Sequence, residues 1–362
     1  MRNILVLISR DDKKIGGSEE VLRLIANYYI AHGDNVHIFF LKEKMGGYWE
    51  SVKHPNLFLY YSQGMGKFGI FSVIKNFRYV KNIFFDYSYS CIVLENAIIG
   101  ILKRLGIVQI KHMIVRESTL VFQRFKGGQL LWRKLLYKIG YTPATLIICQ
   151  THKMKEDLLY NLPVLKNKLV KVIPNPVDIE LINNKSKEHI ELNKFGDFVV
   201  TAGRLIEEKG FDILINSFAS INNTSLNLLI LGDGYAKGAL LKQIKQLGLE
   251  RRVILYGQVP NVYPYFKKAI LCVVSSRVEG FPNVLLQMMS QNVNVVCTRC
   301  FDENYNLDGV YMCNPNDSSS LSKVMLKCLE RDNSSNRVLF DTQLDNVSIG
   351  NFIRTVESYC RY

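Results

Sequence analysis

The residues best suited to chemistry lie in two short segments, each directly after an apolar run. Gly203-Arg204-Leu205-Ile206-Glu207-Glu208-Lys209-Gly210 sets two cations beside glycine after Phe198-Val199-Val200. Seventy residues on, Ile270-Leu271-Cys272-Val273-Val274 and Ser275-Ser276 lead into Glu279-Gly280-Phe281-Pro282-Asn283-Val284-Leu285-Leu286-Gln287. The second segment is expected to be a buried strand, a loop holding one carboxylate, and a helix whose first backbone N–H groups can meet a ligand. Arg204 offers a bidentate fork and Lys209 a point charge, both suited to phosphate oxygens. Such a place can bind a sugar nucleotide. Breaking the bond from an anomeric carbon to phosphate leaves negative charge on a diphosphate, so the site must stabilise a leaving group. Many transferases do so with a divalent metal on an Asp-x-Asp motif. The chain has no Asp-x-Asp, and the expectation is that Arg204 and Lys209 supply the charge in a closed site, with no metal and no cofactor.

A third segment, Gly16-Gly17-Ser18-Glu19-Glu20, follows the first apolar run and precedes the helical pattern Val21 to Ala26. Glycines there would let a backbone approach phosphate at a helix N-terminus. A plain turn, with Glu19 and Glu20 stabilising the helix dipole, fits equally well.

The elements that must position these residues alternate between short apolar runs and longer helical patterns, as in a parallel sheet with crossover helices. Strands are expected at Asn3 to Ser9, Asn35 to Leu41, Cys91 to Leu94, Lys111 to Val115 and Thr145 to Cys149, and again at Phe198 to Thr201, Leu226 to Leu231, Arg252 to Tyr256, Ile270 to Val274 and Val293 to Cys297. Between the two sets, Pro174-Asn175-Pro176 excludes helix and the polar stretch Asn183 to Lys194 marks a domain boundary. The expected domains are 1–180 and 195–340, with a final helix in 341–362 packing back toward the first. Two doubly wound α/β halves put a cleft beyond the carboxyl ends of their strands, where such sheets bind ligands.

The chain has 362 residues, 48% hydrophobic and 22% charged, enough for two cores. The apolar start Ile4 to Ile8 runs into Asp11-Asp12-Lys13-Lys14 and is too short for a signal sequence; no run spans a bilayer. The expected location is cytoplasmic. Eight cysteines, mostly in apolar runs such as those around Cys91, Cys149 and Cys272, suit a reduced core. Cys297-Thr298-Arg299-Cys300 lacks a second pair to complete a zinc site.

The net charge of +14 is uneven: residues 1–180 hold 26 Lys+Arg against 14 Asp+Glu, leaving 20 against 18 for the rest. One polyanionic partner for the first half is implied. Ile74 to Phe85, with Lys75, Arg78 and Lys81 at helical spacing, and Leu130 to Ile139, with Arg133, Lys134 and Lys138, read as helices that can lie on an anionic membrane surface, at the inner face of the cell membrane. Ordinary sheet-packing helices with a basic outer face are the alternative. No zinc-finger, helix-turn-helix or RNA-binding signature supports nucleic acid as a partner, and no Gly-x-Gly-x-x-Gly follows the first strand to support a nicotinamide enzyme.

Together the Gly203-Arg204…Lys209-Gly210 and Glu279-Gly280-Phe281-Pro282 segments resemble the donor site of the retaining glycosyltransferases of family four, which carry the GT-B fold: two Rossmann-like domains facing each other across a cleft. The resemblance is specific over the second half and loose over the first. It implies that Gly203, Arg204 and Lys209 bind pyrophosphate, that Glu279 and Gly280 meet the donor sugar, and that backbone N–H groups near Phe281, Asn283 and Val284 hold sugar or phosphate. It also implies that Gly16 and Gly17 face diphosphate and acceptor, and that Arg116-Glu117-Ser118 form an acceptor-side loop.

Two departures stand out. The family's second glutamate, which binds the ribose hydroxyls, is Gln287 here, a neutral acceptor where a charge-assisted bond would be roughly twice as strong. Arg299-Cys300-Phe301-Asp302-Glu303 replaces a Gly-Gly-Pro segment at the sugar-pocket rim. The expected function is metal-independent, retaining transfer of a hexose or N-acetylhexosamine from a UDP-sugar to a glycan acceptor, lipid-linked, in polysaccharide synthesis. The alternative is a weak or inactive sugar-nucleotide-binding scaffold subunit.

Overall fold

The computed structural model describes residues 1–11, 16–62, 74–192, 195–302 and 307–361, apart from the Gln123 side chain. Asp12, Lys13, Lys14, Asn193, Lys194 and Glu303, named above, lie outside the described residues. The chain divides into two compact units, Met1–Pro176 with Ile349–Tyr362, and Val177–Ser348.

The first unit is a parallel sheet of β1 (Asn3–Ile8), β2 (Asn35–Phe40), β3 (Leu57–Tyr61), β4 (Phe84–Cys91), β5 (Gln109–Arg116), β6 (Leu146–Cys149) and β7 (Val170–Val172), in the spatial order β3-β2-β1-β4-β5-β6-β7. Pairing runs in step from Asn3 against Asn35 to Ile8 against Phe40. Cores form on both faces, one under helices Val93–Arg104 and Gly127–Gly140, the other under Gly17–Ala31 and Ile349–Cys360. Double-sided burial explains why β1 and β6 read as apolar runs. Within this unit the final helix is tied down by Arg2, which donates to Asp34 at 2.7 Å and to Glu357 at 2.6 Å.

The strand expected at Cys91–Leu94 is displaced. Those residues are the last of β4 and the onset of helix Val93–Arg104, joined by Ile92 at φ +82°. The strand is hidden by its composition, Phe84-Phe85-Asp86-Tyr87-Ser88-Tyr89-Ser90-Cys91, of whose polar residues Ser88, Tyr89 and Ser90 are buried; the Tyr89 hydroxyl lies 2.8 Å from that of Tyr29. The basic helix expected over Ile74–Phe85 is also absent as such. Only residues 74–77 are α-helical, Arg78–Val80 form a 3₁₀ turn, and Phe84 and Phe85 join the sheet opposite Gln109 and Ile110. Phe77, Val80 and Phe85 are buried, while Tyr79 and Phe84 stay exposed, so only part of the apolar set that suggested a membrane face packs inward.

The second unit repeats the plan with β8 (Phe198–Ala202), β9 (Asn227–Leu231), β10 (Val253–Gly257), β11 (Leu271–Val274), β12 (Val295–Thr298) and β13 (Tyr311–Cys313), ordered β10-β9-β8-β11-β12-β13. The polar stretch after Pro176 belongs to this unit and opens with helix Ile179–Lys185, whose cap Asp178 accepts the Leu181 N–H at 2.9 Å. In each unit the strand order reverses once, between β1 and β4 and between β8 and β11. Doubly wound sheets bind ligands beyond the carboxyl ends at such a reversal.

Candidate functional site

At the carboxyl edge of the second sheet, three strands end in glycines that let their loops stack. The Gly203 N–H donates to Leu231 O at 2.9 Å and the Gly232 N–H to Gly257 O at 2.8 Å. Gly232 has φ +147°, and a Cβ there would sit 1.9 Å from Gly203 O. The Leu205 N–H donates to Asp233 O, and the Ala236 N–H returns to Leu205 O. The loop after β8 is thereby stitched to the loop after β9. Gly232-Asp233-Gly234 went unread in the sequence, although a Gly-x-Gly directly after an apolar run was the available signal.

Across the reversal, the loop after β11 meets the 3₁₀ turn Glu207–Lys209. The Lys209 ammonium donates to the Glu279 carboxylate, which also accepts the Ser276 hydroxyl at 2.9 Å. The Glu279 N–H is fixed by Cys300 O at 2.7 Å, and Ser276 O accepts the Thr298 hydroxyl at 2.6 Å. Gly210 turns the chain at φ +62° into helix Phe211–Ala219, with a Cβ position only 2.2 Å from Ser275 O. Arg204 is exposed, and its guanidinium has no hydrogen-bond or ion-pair partner among the described residues. Arg204, Lys209 and Glu279 thus stand at neighbouring strand ends of one sheet: a cation with no partner among the described residues, a paired cation and a carboxylate.

Gly280 and Phe281 continue this loop into helix Asn283–Gln291, whose N-terminus carries no side-chain cap. Phe281 is buried and packs on Phe301 with ring centroids 4.9 Å apart, so its ring is a support beneath the loop. Asn283 and Val284 open the helix, Val284 against the core, and Gln287 lies half-buried one turn later. Arg277, two residues before Glu279, was not singled out from the sequence. It donates to both carboxylate oxygens of Asp212, at 2.8 and 2.6 Å, and to Glu207 O at 2.7 Å.

In the first unit, Gly16 precedes helix Gly17–Ala31, and its N–H donates to Glu19 Oε2 at 2.8 Å. The Glu19 carboxylate thus occupies the place an incoming anion would take, while Glu20 pairs with Arg23. Arg116 ends β5 fully buried; it donates to Asn175 and toward Cys91 Sγ, and its Nε has no partner among the described residues. Glu117 is buried too and accepts the Tyr137 and Tyr141 hydroxyls. Burial pushes its carboxyl up to about 7, against the pull of those hydroxyls and of Arg116. Ser118 is half-buried. A further buried acid, Glu95, accepts the Ser9 hydroxyl at 2.6 Å at the β1/β4 reversal, and burial raises it to about 8. It went unread because it stands inside the apolar stretch Ile92 to Ile99.

Helix Gly127–Gly140 shows an outward face on which Leu131, Trp132 and Leu135 are 70%, 56% and 45% exposed. Arg133 and Lys134 fold over the rings of Phe125 and Phe122. Between Glu117 and Glu156 the sequence has no acidic residue and seven cations, Arg124, Lys126, Arg133, Lys134, Lys138, Lys153 and Lys155. No helix among the described residues is long and apolar enough to cross a membrane.

Two family models match the chain, one described as Glycosyltransferase Family 4 over residues 15–181 and one as Glycosyl transferases group 1 over residues 196–331. Among curated relatives, an N-acetylgalactosamine-N,N'-diacetylbacillosaminyl-diphospho-undecaprenol 4-alpha-N-acetylgalactosaminyltransferase of Campylobacter jejuni is 34% identical over 52% of this chain and 51% of its own length. An uncharacterized glycosyltransferase of Methanocaldococcus jannaschii is 38% identical over 46% of this chain and 42% of its own. The chain therefore aligns with about half the length of these relatives. Among solved structures, Anabaena HepE in complex with UDP and glucose superposes with a TM-score of 0.77 over 99% of both chains at 19% identity, a likeness of fold. With one model on each unit, two doubly wound parallel sheets and this fold neighbour, the chain belongs to the family 4, group 1 type of GT-B glycosyltransferases.

Proposed function

We propose that the chain transfers a hexose or N-acetylhexosamine from a UDP-sugar to a lipid-linked glycan acceptor, with retention and without a metal ion. The observation that carries this reading is the meeting of Lys209 with Glu279, with Arg204, which has no side-chain partner among the described residues, in the same loop after β8 as Lys209. On binding, the diphosphate competes for Lys209 and recruits Arg204, while Glu279 is released toward the sugar hydroxyls. As the glycosidic bond to phosphate breaks, charge grows on the diphosphate, and both cations stabilise it more strongly in the transition state than in the ground state. In a same-face displacement the departing phosphate oxygen takes the acceptor hydroxyl's proton, so no separate base is required of the protein. Two of the relatives described above bear on the ligands: the Anabaena protein is solved with UDP and glucose, and the Campylobacter protein is named for a diphospho-undecaprenol substrate.

The exposed Leu131, Trp132 and Leu135 amid cations favour docking on an anionic membrane surface at the inner face of the cell membrane, where a lipid-linked acceptor would be presented. Incubating the chain with a panel of UDP-sugars and a lipid-linked glycan in EDTA, and following UDP release and product mass, tests the reading. UDP release with an α-linked, mass-shifted product is expected from an α-linked donor; no turnover of any nucleotide sugar would favour the scaffold reading that Gln287 keeps open.

A further inference from the structure

We infer that Arg277, bridged to Asp212, is a positioning residue that holds the Lys209 turn against the Glu279 loop and so fixes where a nucleotide diphosphate is gripped. The inference rests on the donor-site reading proposed above. Lys209 ends a three-residue 3₁₀ turn, Glu207–Lys209, which has no helical ladder of its own length to keep it in place. It is held instead from the β11 loop. The Arg277 guanidinium reaches Glu207 O and both Asp212 oxygens, the Arg277 N–H donates to Glu208 O at 2.7 Å, and the Ser275 hydroxyl donates to Lys209 O at 3.0 Å. Every carbonyl of the turn is therefore engaged by residues 275–277, immediately before the carboxylate that Lys209 meets. Asp212 lies in the first turn of helix Phe211–Ala219, so the planar Arg277 fork spans turn, helix and loop at once.

A simpler reading is an ion pair that only adds stability. The pair is partly exposed, with side-chain accessibilities of 22% and 41%, and such pairs contribute little to folding. Displacing an ammonium by about 1 Å can cost about 10²-fold in rate. Loss of Arg277 should thus be felt at the site far more than in the fold, and only through Lys209.

The test titrates UDP into the full chain by calorimetry, for wild type, Arg277→Ala, Arg277→Lys and Asp212→Asn, each also in a Lys209→Ala background. Arg277→Ala and Asp212→Asn should weaken UDP by about tenfold with a near-normal melting temperature, and Arg277→Lys, which cannot fork, should recover little of it. With Lys209 removed, none of the three should weaken UDP further. Folded Arg277→Ala and Asp212→Asn variants that bind UDP like wild type, or that lose equally with and without Lys209, would overturn the inference. Should Arg277→Ala not fold, Asp212→Asn and Arg277→Lys carry the same comparison. Failure of the donor-site reading has a different signature, wild type not binding UDP or Lys209→Ala binding it unchanged, and it would overturn this inference as well.

Discussion

The ammonium of Lys209 donates to the carboxylate of Glu279, 70 positions later in the chain, and the Ser276 hydroxyl shares the same oxygen. This contact joins the two segments whose residue types first suggested phosphate chemistry. It also means that neither residue can be changed without altering the other's surroundings.

Arg204→Ala should reduce turnover by about 10²- to 10³-fold, the usual cost of removing one preorganised stabiliser of developing negative charge. Because Arg204 is exposed and unpartnered among the described residues, its melting temperature should not move. Steady-state kinetics beside thermal melts check both halves; a near-normal rate would remove Arg204 from the site.

Glu279→Gln should keep the Ser276 hydrogen bond but weaken the hold on Lys209. Turnover should fall by about tenfold or more, with donor KM rising, since a charge-assisted bond is replaced by a neutral one. An unchanged KM and kcat would show that the carboxylate does not touch the donor.

Gln287→Glu restores an anionic acceptor one turn into helix Asn283–Gln291. If this residue meets the ribose, UDP should bind roughly fivefold tighter, the difference between a neutral and a charge-assisted hydrogen bond. Unchanged or weaker UDP binding by calorimetry would place the ribose elsewhere.

Glu95 and Glu117 make stability depend on pH in a stated direction. Burial raises both acids from 4.5, to about 8 and about 7. The folded chain therefore holds protons that the unfolded chain releases. The stabilisation is complete below about pH 4.5 and is lost as pH rises through 7 and 8. Glu95→Gln should flatten the decline of the melting temperature between pH 5 and 8; an unaltered slope would show that Glu95 is ionised throughout.

Trp132→Ser with Leu135→Ser should cut binding to vesicles containing anionic lipid by about tenfold or more, as two apolar side chains are lost from the interface. UDP affinity should be unchanged. Equal vesicle binding in a flotation assay would remove helix Gly127–Gly140 from the membrane contact.

How much of this was legible in the sequence follows from burial. β1, β8 and β11 are covered on both faces, so Ile4 to Ile8, Phe198 to Val200 and Leu271 to Val274 announce themselves as apolar runs, and the loops after β8 and β11 could be read from them. β4 is buried over Ser88 to Cys91 but carries Asp86, Tyr87, Ser88, Tyr89 and Ser90, so its polar letters disguise it and the apolar Cys91-Ile92-Val93-Leu94 reads as the strand instead. Lys75, Arg78 and Lys81 have helical spacing, yet Phe84 and Phe85 pair with Gln109 and Ile110 of β5, and Phe85 is buried there. Arg277 was invisible for a different reason. Its partners Glu207, Glu208 and Asp212 lie 65 to 70 residues away, and only the packing of β8 beside β11 brings them together.

A crystal of the full chain grown with UDP in EDTA would show directly which groups grip the nucleotide. The diphosphate should lie within hydrogen-bond distance of both the Arg204 guanidinium and the Lys209 ammonium, with no ion between. Phosphates lodged away from those two cations, or UDP that binds only when magnesium or manganese is supplied, would contradict that arrangement.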